Sequence, residues 1–218
     1  MMSRLIGIYG ASGFGREVMP VARAQFSSDD RLVFIDDGAQ GGERQHSGHA
    51  ILSWDDFIEE AAGRDAAVSI AIAASQVRER LTERCGKAGI SMCDIRASNV
   101  IVGDNVAVGE GAILQPFAML TGDCHIGRGF HANIYSYVAH DCVIGDFVTF
   151  APNVMCNGNV RIEDHAYIGT GAILRQGTPE KPLVIGRGAT VGMGAVVTKD
   201  VPAGATVIGN PAKPMEKK

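Results

Sequence analysis

With 218 residues, 46% of them hydrophobic, the chain can fill one large core or two small ones without covalent staples. A net charge of -4 and a pI near 5.8 give no reason to expect nucleic acid, whose binding rests on clustered Lys and Arg. Five cysteines (Cys85, Cys93, Cys124, Cys142, Cys156), an odd count without a CxxC, suggest neither a disulfide framework nor a zinc ribbon and read as reduced cytosolic thiols. The longest small or apolar run, at 66–75, is about half a membrane span, and the first residues carry no targeting signal.

The first 97 residues alternate strand and helix signals. "RLIGIYG" reads as a buried strand, "GREVMPVARAQF" as a helix, and "RLVFIDDG" as a second strand. "SWDDFIEEAAG" starts an acid-rich helix capped by Ser53, and "AAVSIAIA" is a third strand. "SQVRERLTERCGKAG" is a helix opening at Ser75 and stopping at Gly86 or Gly89, with a short strand around "SMCDI" after it. About four such strands make a small parallel α/β domain over 1–97, half of a full dinucleotide fold. Its "GASGFG" loop places Gly10, Ser12, Gly13, Phe14 and Gly15 between strand and helix, where a phosphate would sit on backbone N–H groups. Asp36 and Asp37 close the second strand. A nicotinamide dehydrogenase fits this loop too, but its second mononucleotide half is missing.

From residue 98 the period changes to six. Every sixth residue from Val102 to Leu174 is apolar, thirteen positions in all, and a small or apolar residue falls four places on, as at Ala112, Ala118, Cys124 and Cys142. That is the hexapeptide repeat of a parallel β-helix. Five extra residues in "RQGTPEKPLV" break the phase, which resumes at Ile185. Outward aliphatic residues such as Ile113, Leu120 and Ile134 are expected to leave more apolar surface than one prism buries. "VAHDCVIGDF" holds the sharpest chemical signal, His140 beside Asp141, two places after the inward Val138. The pair suits an ordinary solvated corner or a general base with a tautomer-fixing carboxylate. His125 and His131, six apart, fall on different faces and complete no metal site.

The repeat resembles the hexapeptide acyltransferases, which implies a left-handed β-helix with eighteen residues per triangular coil. On that geometry Gly158 stacks one rung, about 4.8 Å, from His140, and a base, a carboxylate and an uncovered backbone N–H are the parts of acyl transfer from a thioester. Both halves, in order, are similar to the PglD- and NeuD-like sugar acetyltransferases. The segments that carry this are "GASGFGREV", "FIDDG", "NIYSYVAHDCVIGDF", "CNGNVRI" and "IGNPAKPM". The resemblance implies a cytoplasmic homotrimer, active sites between subunits, and acetyl-CoA and a nucleotide-linked amino sugar as substrates, with no metal. It implies His140 as base, Asp141 as its support, Asn133 as a substrate-pocket amide, and Gly158 lining the acetyl-CoA site. The glycine loop would hold the sugar nucleotide's pyrophosphate, with Asp36 and Asp37 facing the base. Thr149, Lys199 and Lys213 are further candidates for acetyl-CoA. Phe14 and Thr149 stand where the best-known branch has histidines, which leaves the sugar open. O-acetylation of a sialic-acid-like sugar and a non-catalytic nucleotide-sugar-binding scaffold are the alternatives.

Overall fold

The structure, a computed structural model, describes residues 3–38 and 44–215. They form two compact units, Met1–Ser98 and Asn99–Lys218.

The first unit is a sheet with strands β1 (Leu5–Tyr9), β2 (Arg31–Ile35), β3 (Gln45–His46), β4 (His49–Leu52), β5 (Ala66–Ile70) and β6 (Ser91–Met92) in the order β3-β4-β2-β1-β5-β6. Helices α1 (Gly13–Gln25), α2 (Trp54–Ala61) and α3 (Ser75–Lys87) are the crossovers. β1 is buried at every position and runs parallel to both β2 and β5, which suits its unbroken apolar sequence. Chain order proceeds to opposite sides of β1, so a topological switch point lies at its C-terminal end. Ser53 caps α2 in a capping box with Asp56, as its sequence suggests. Two strands exceed the sequence expectation. β3 and β4 form a tight antiparallel hairpin whose turn residues, Ser47 and Gly48, both take positive φ (49° and 80°). The two-residue Ser-Gly connector was its only local mark.

The second unit is a left-handed parallel β-helix, each coil giving one short strand to each of three faces. The first face runs through Ile113–Leu114, His131–Ala132, Thr149–Phe150 and Tyr167–Ile168; the second through Met119–Leu120, Tyr137–Val138, Met155–Cys156 and Ile173–Leu174. The third carries His125–Ile126, Val143–Ile144 and Val160–Ile162. Partners stand eighteen apart, as Val138↔Cys156, until the insertion, after which Ile162 pairs with Ile185, twenty-three apart and hence five more. The six-residue series is the core: from Leu114 to Leu174 every member is at most 2% exposed. Fully burying a Leu or Ile side chain contributes about 1.5–3 kcal/mol, so the repeat is the unit's main stabilisation.

One expectation about the outer surface fails. Ile113 (0%) and Leu120 (1%) are buried, Leu120 because it belongs to the inward series itself. Of the three residues only Ile134 is exposed. The outer apolar surface lies instead on Ile101, Phe117, Tyr135 and Met193, with the rings of Phe117 and Tyr135 stacked at 5.0 Å. No helix among the described residues is long and apolar enough to cross a membrane.

Candidate active site

In the first unit a pocket of about 510 Å³ opens at the switch point. The ends of β1 and β2, the start of the glycine loop and one side of α3 line it, with Tyr9 to Ser12, Ile35 to Asp37, Ile72, Val77, Arg80 and Leu81. The glycines of the loop have separate duties. Gly10 takes φ +109°, open to glycine and costly for other residues. A Cβ on Gly15 would collide with the Gly10 carbonyl, so Gly15 closes the loop on itself. Gly13 has nothing within 4 Å of that position, leaving its backbone open to a ligand. Ser12 caps α1 without a side-chain hydrogen bond, so its hydroxyl and the Gly13 end of the helix can receive an anion. Phe14 is half-buried in that turn.

The two aspartates also divide their work. Asp37 accepts hydrogen bonds from the Tyr9 hydroxyl (2.9 Å) and from Arg84 (2.9 Å), while Arg84 lies 4.7 Å over the Trp54 ring. Burial and the Asp37 carboxylate push the Tyr9 phenol well above its usual range, so it stays a hydrogen-bond donor. Asp36 spends one oxygen on the Gly38 N–H (2.9 Å), and its other oxygen makes no bond among the described residues. Sequence reading missed Tyr9, Arg80 and Arg84, because a lone tyrosine ending a strand and two arginines one helical turn apart look like ordinary core and surface.

In the second unit His140 and Asp141 stand at the corner between the second and third faces, both side chains about half exposed (50% and 54%). His140 Nδ1 lies 2.7 Å from Asp141 Oδ2. Against a carboxylate Nδ1 carries the proton, which leaves Nε2 as the lone-pair nitrogen. Asp141 takes φ 58°, like Asn105, Asp123 and Asn159, which occupy the same corner in other coils. Short Asn and Asp side chains tolerate that left-handed turn, so Asp141 serves the turn and the imidazole together. A Cβ on Gly158 would lie 2.5 Å from Nε2 and Cε1 of His140, so the absence of that carbon is the seat of the ring. The N–H groups of Asn157 and Asn159 bind Leu174 O and His140 O, whereas the Gly158 N–H between them is unpaired among the described residues.

The remaining candidates separate. Lys199 continues the column of His140, Gly158 and Gln176, since Leu174 pairs with Val197 across the insertion; it is three rungs on and exposed. Asn133 sits at the preceding corner, between the first and second faces, where its Nδ2 donates to Phe150 O (2.7 Å) and its Oδ1 makes no bond among the described residues. Thr149 is 5% exposed on the first face, between His131 and Tyr167. Lys213 lies on the short strand Lys213–Pro214, antiparallel to Thr206–Ile208. Cys142 and Cys156 are fully buried beneath the corner. A hydrogen bond from Cys156 holds the Cys142 thiol below its usual range, while that bond and burial push Cys156 well above. Neither sulfur can reach a substrate. Among the described residues no group of three or more His, Cys, Asp or Glu could hold a metal ion.

An outward base on a hexapeptide prism, following a small parallel sheet with an anion-ready loop, defines a two-domain acyltransferase of the left-handed β-helix class. Residues 5–85 match the model of the PglD N-terminal domain. A GDP-perosamine N-acetyltransferase of Escherichia coli O157:H7 is 49% identical over 217 residues, 98% of this chain and 97% of that one. WeeI from Acinetobacter baumannii AYE superposes with a TM-score of 0.94 at 57% identity, covering 98% of this chain and 100% of that one. The acetyltransferase domain of PglB from Neisseria gonorrhoeae FA1090, solved with acetyl coenzyme A, gives 0.86 at 29% identity, with 98% and 100% covered. The chain belongs to the PglD-like family of sugar N-acetyltransferases.

Proposed function

We propose that the protein transfers the acetyl group of acetyl-CoA to the C-4 amino group of a GDP-linked 4-amino-4,6-dideoxyhexose of the perosamine type. The observation that carries this reading is His140, with Nδ1 committed to Asp141 at 2.7 Å and its ring seated on Gly158. The amine nitrogen attacks the thioester carbonyl carbon, and the C–S bond breaks. Nε2 takes the proton that the nitrogen loses and returns it to the departing sulfur, giving the amide and free CoA. The unpaired Gly158 N–H donates to the carbonyl oxygen as negative charge gathers there. Lys199, on the same corner column, suits the phosphates of CoA. The first unit binds the nucleotide, with Gly13, Ser12 and the α1 N-terminus on the diphosphate. Remote binding of this kind positions the acceptor, so free amino sugars react poorly.

The reading includes a homotrimer with its sites between subunits, in the cytoplasm where acetyl-CoA and sugar nucleotides are made. Asn133 and His140 occupy successive corners of one prism, so a site that uses both draws on two copies. Ile134, Tyr135 and Phe117, exposed beside Asn133, offer apolar surface for that contact. A substrate panel tests the chemistry: CoA is expected to be released with GDP-linked 4-amino-4,6-dideoxyhexose and far more slowly with the free sugar. Efficient reaction of free sialic acid, with every nucleotide amino sugar inert, overturns the proposal. Sedimentation of a stable, fully active monomer near 22.9 kDa removes the shared site.

A further inference from the structure

The pocket of the first unit contains a cation that the proposed chemistry has not used. Arg80 lines it from α3, exposed and without a hydrogen bond or ion pair among the described residues. Arg84, one turn further along, is already spent on Asp37 and on the Trp54 ring. The charge of Asp37 is therefore answered without Arg80.

Two ligand groups could claim this guanidinium, the diphosphate or the base. The diphosphate has its own partner, the α1 N-terminus with an unbonded Ser12 side chain and an open Gly13. Around Arg80 the lining is different. Val77 lies one turn before it, Leu81 beside it, and Ile72 and Ile35 complete an apolar slot suited to a flat ring. A planar fork at such a slot matches two adjacent acceptors on the ring edge. Guanine presents O6 and N7 together, adenine pairs N7 with a donor amine, and uracil or thymine offers O4 beside a C–H or a methyl group.

Resting on the proposed sugar-nucleotide reading, we propose that Arg80 is a specificity-determining residue that selects guanine by donating both of its forked N–H groups to O6 and N7. The uncommitted oxygen of Asp36 is the matching acceptor for the donor edge of the same base. Sequence spacing gives no sign of this, since Arg80 reads as one more charge on a solvated helix face.

Calorimetric titration of the full chain with GDP, UDP, dTDP and inorganic pyrophosphate tests the assignment without requiring turnover. The unaltered protein is expected to bind GDP roughly 10- to 100-fold more tightly than UDP or dTDP. Arg80→Met should erase most of that preference, chiefly by weakening GDP, and Arg80→Lys should restore little of it because a point charge lacks the fork. Equal weakening of GDP, UDP and pyrophosphate would make Arg80 a phosphate clamp and overturn the proposal. Unchanged GDP affinity in Arg80→Met, or no base preference in the unaltered protein, overturns it as well. A chain that binds GDP through Arg80 yet acetylates no GDP-linked amino sugar refutes the proposed reaction and leaves the base assignment standing.

Discussion

The two units solve the problem of building a site in opposite ways. In the α/β unit the pocket gathers residues from the ends of β1 and β2, the glycine loop, the β5–α3 connection and α3, spread from Tyr9 to Leu81. In the prism the site is a stack, with His140 on Gly158, one coil apart and eighteen residues on in the chain. A repeat unit therefore makes neighbours calculable from spacing. A crossover sheet makes them depend on strand order, which follows from packing. The same contrast governs glycine: in the loop Gly10 and Gly15 shape one turn, whereas at the prism corner Gly158 makes room for a side chain of the preceding rung.

The largest expected effect tests the stack at its base. His140→Ala or His140→Asn should lower kcat about 10²- to 10⁴-fold with little change in thermal stability, because the residue is a half-exposed corner. Near-normal kcat in His140→Asn would send the proton elsewhere. Gly158→Val comes next. The new Cβ meets the imidazole before any ligand, so kcat should fall by roughly 10²-fold or more through displacement of the base. In a His140→Ala background the same substitution should cost far less, since the obstructed ring is gone. Additive losses in that double-mutant cycle would deny the contact.

Gly15→Ala probes the other region. Its Cβ strikes the Gly10 carbonyl, so about 1–3 kcal/mol of stability should be lost from the first unit, read by chemical denaturation, together with nucleotide affinity. Asp141→Asn is milder, near 10-fold in kcat, because Asn keeps the left-handed turn while losing the carboxylate charge that faces the imidazole. Asp141→Ala should add about 1 kcal/mol of turn strain on top. The smallest effect belongs to Gly13→Ala. With nothing within 4 Å, stability should stay within about 0.5 kcal/mol, and any change should appear in the KM for the sugar nucleotide alone. A large loss of stability there would mean that Gly13 is another loop-closing glycine.

By itself the sequence determined the prism almost completely. The apolar series from Val102 and the five-residue insertion follow from a period of six, and the pairing of His140 with Gly158 follows once the family resemblance supplies eighteen residues per coil, because each coil rests on the coil before it at one strand spacing. It also marked β1, β2, β5, β6, the three helices and the glycine loop of the α/β unit, and left out the outer hairpin of β3 and β4. Only the tertiary structure decided which of those glycines is open, and that Asp37 is bound to Tyr9 and Arg84 while Asp36 keeps one oxygen unbonded among the described residues. It alone showed that Ile113 is covered and that the exposed aromatic pair is Phe117 and Tyr135. Burial and hydrogen-bond partners are properties of what arrives from elsewhere in the chain. Where the neighbour is eighteen residues away by rule, sequence names it; where it arrives through a crossover, as Arg84 reaches Asp37, packing must bring the two together first.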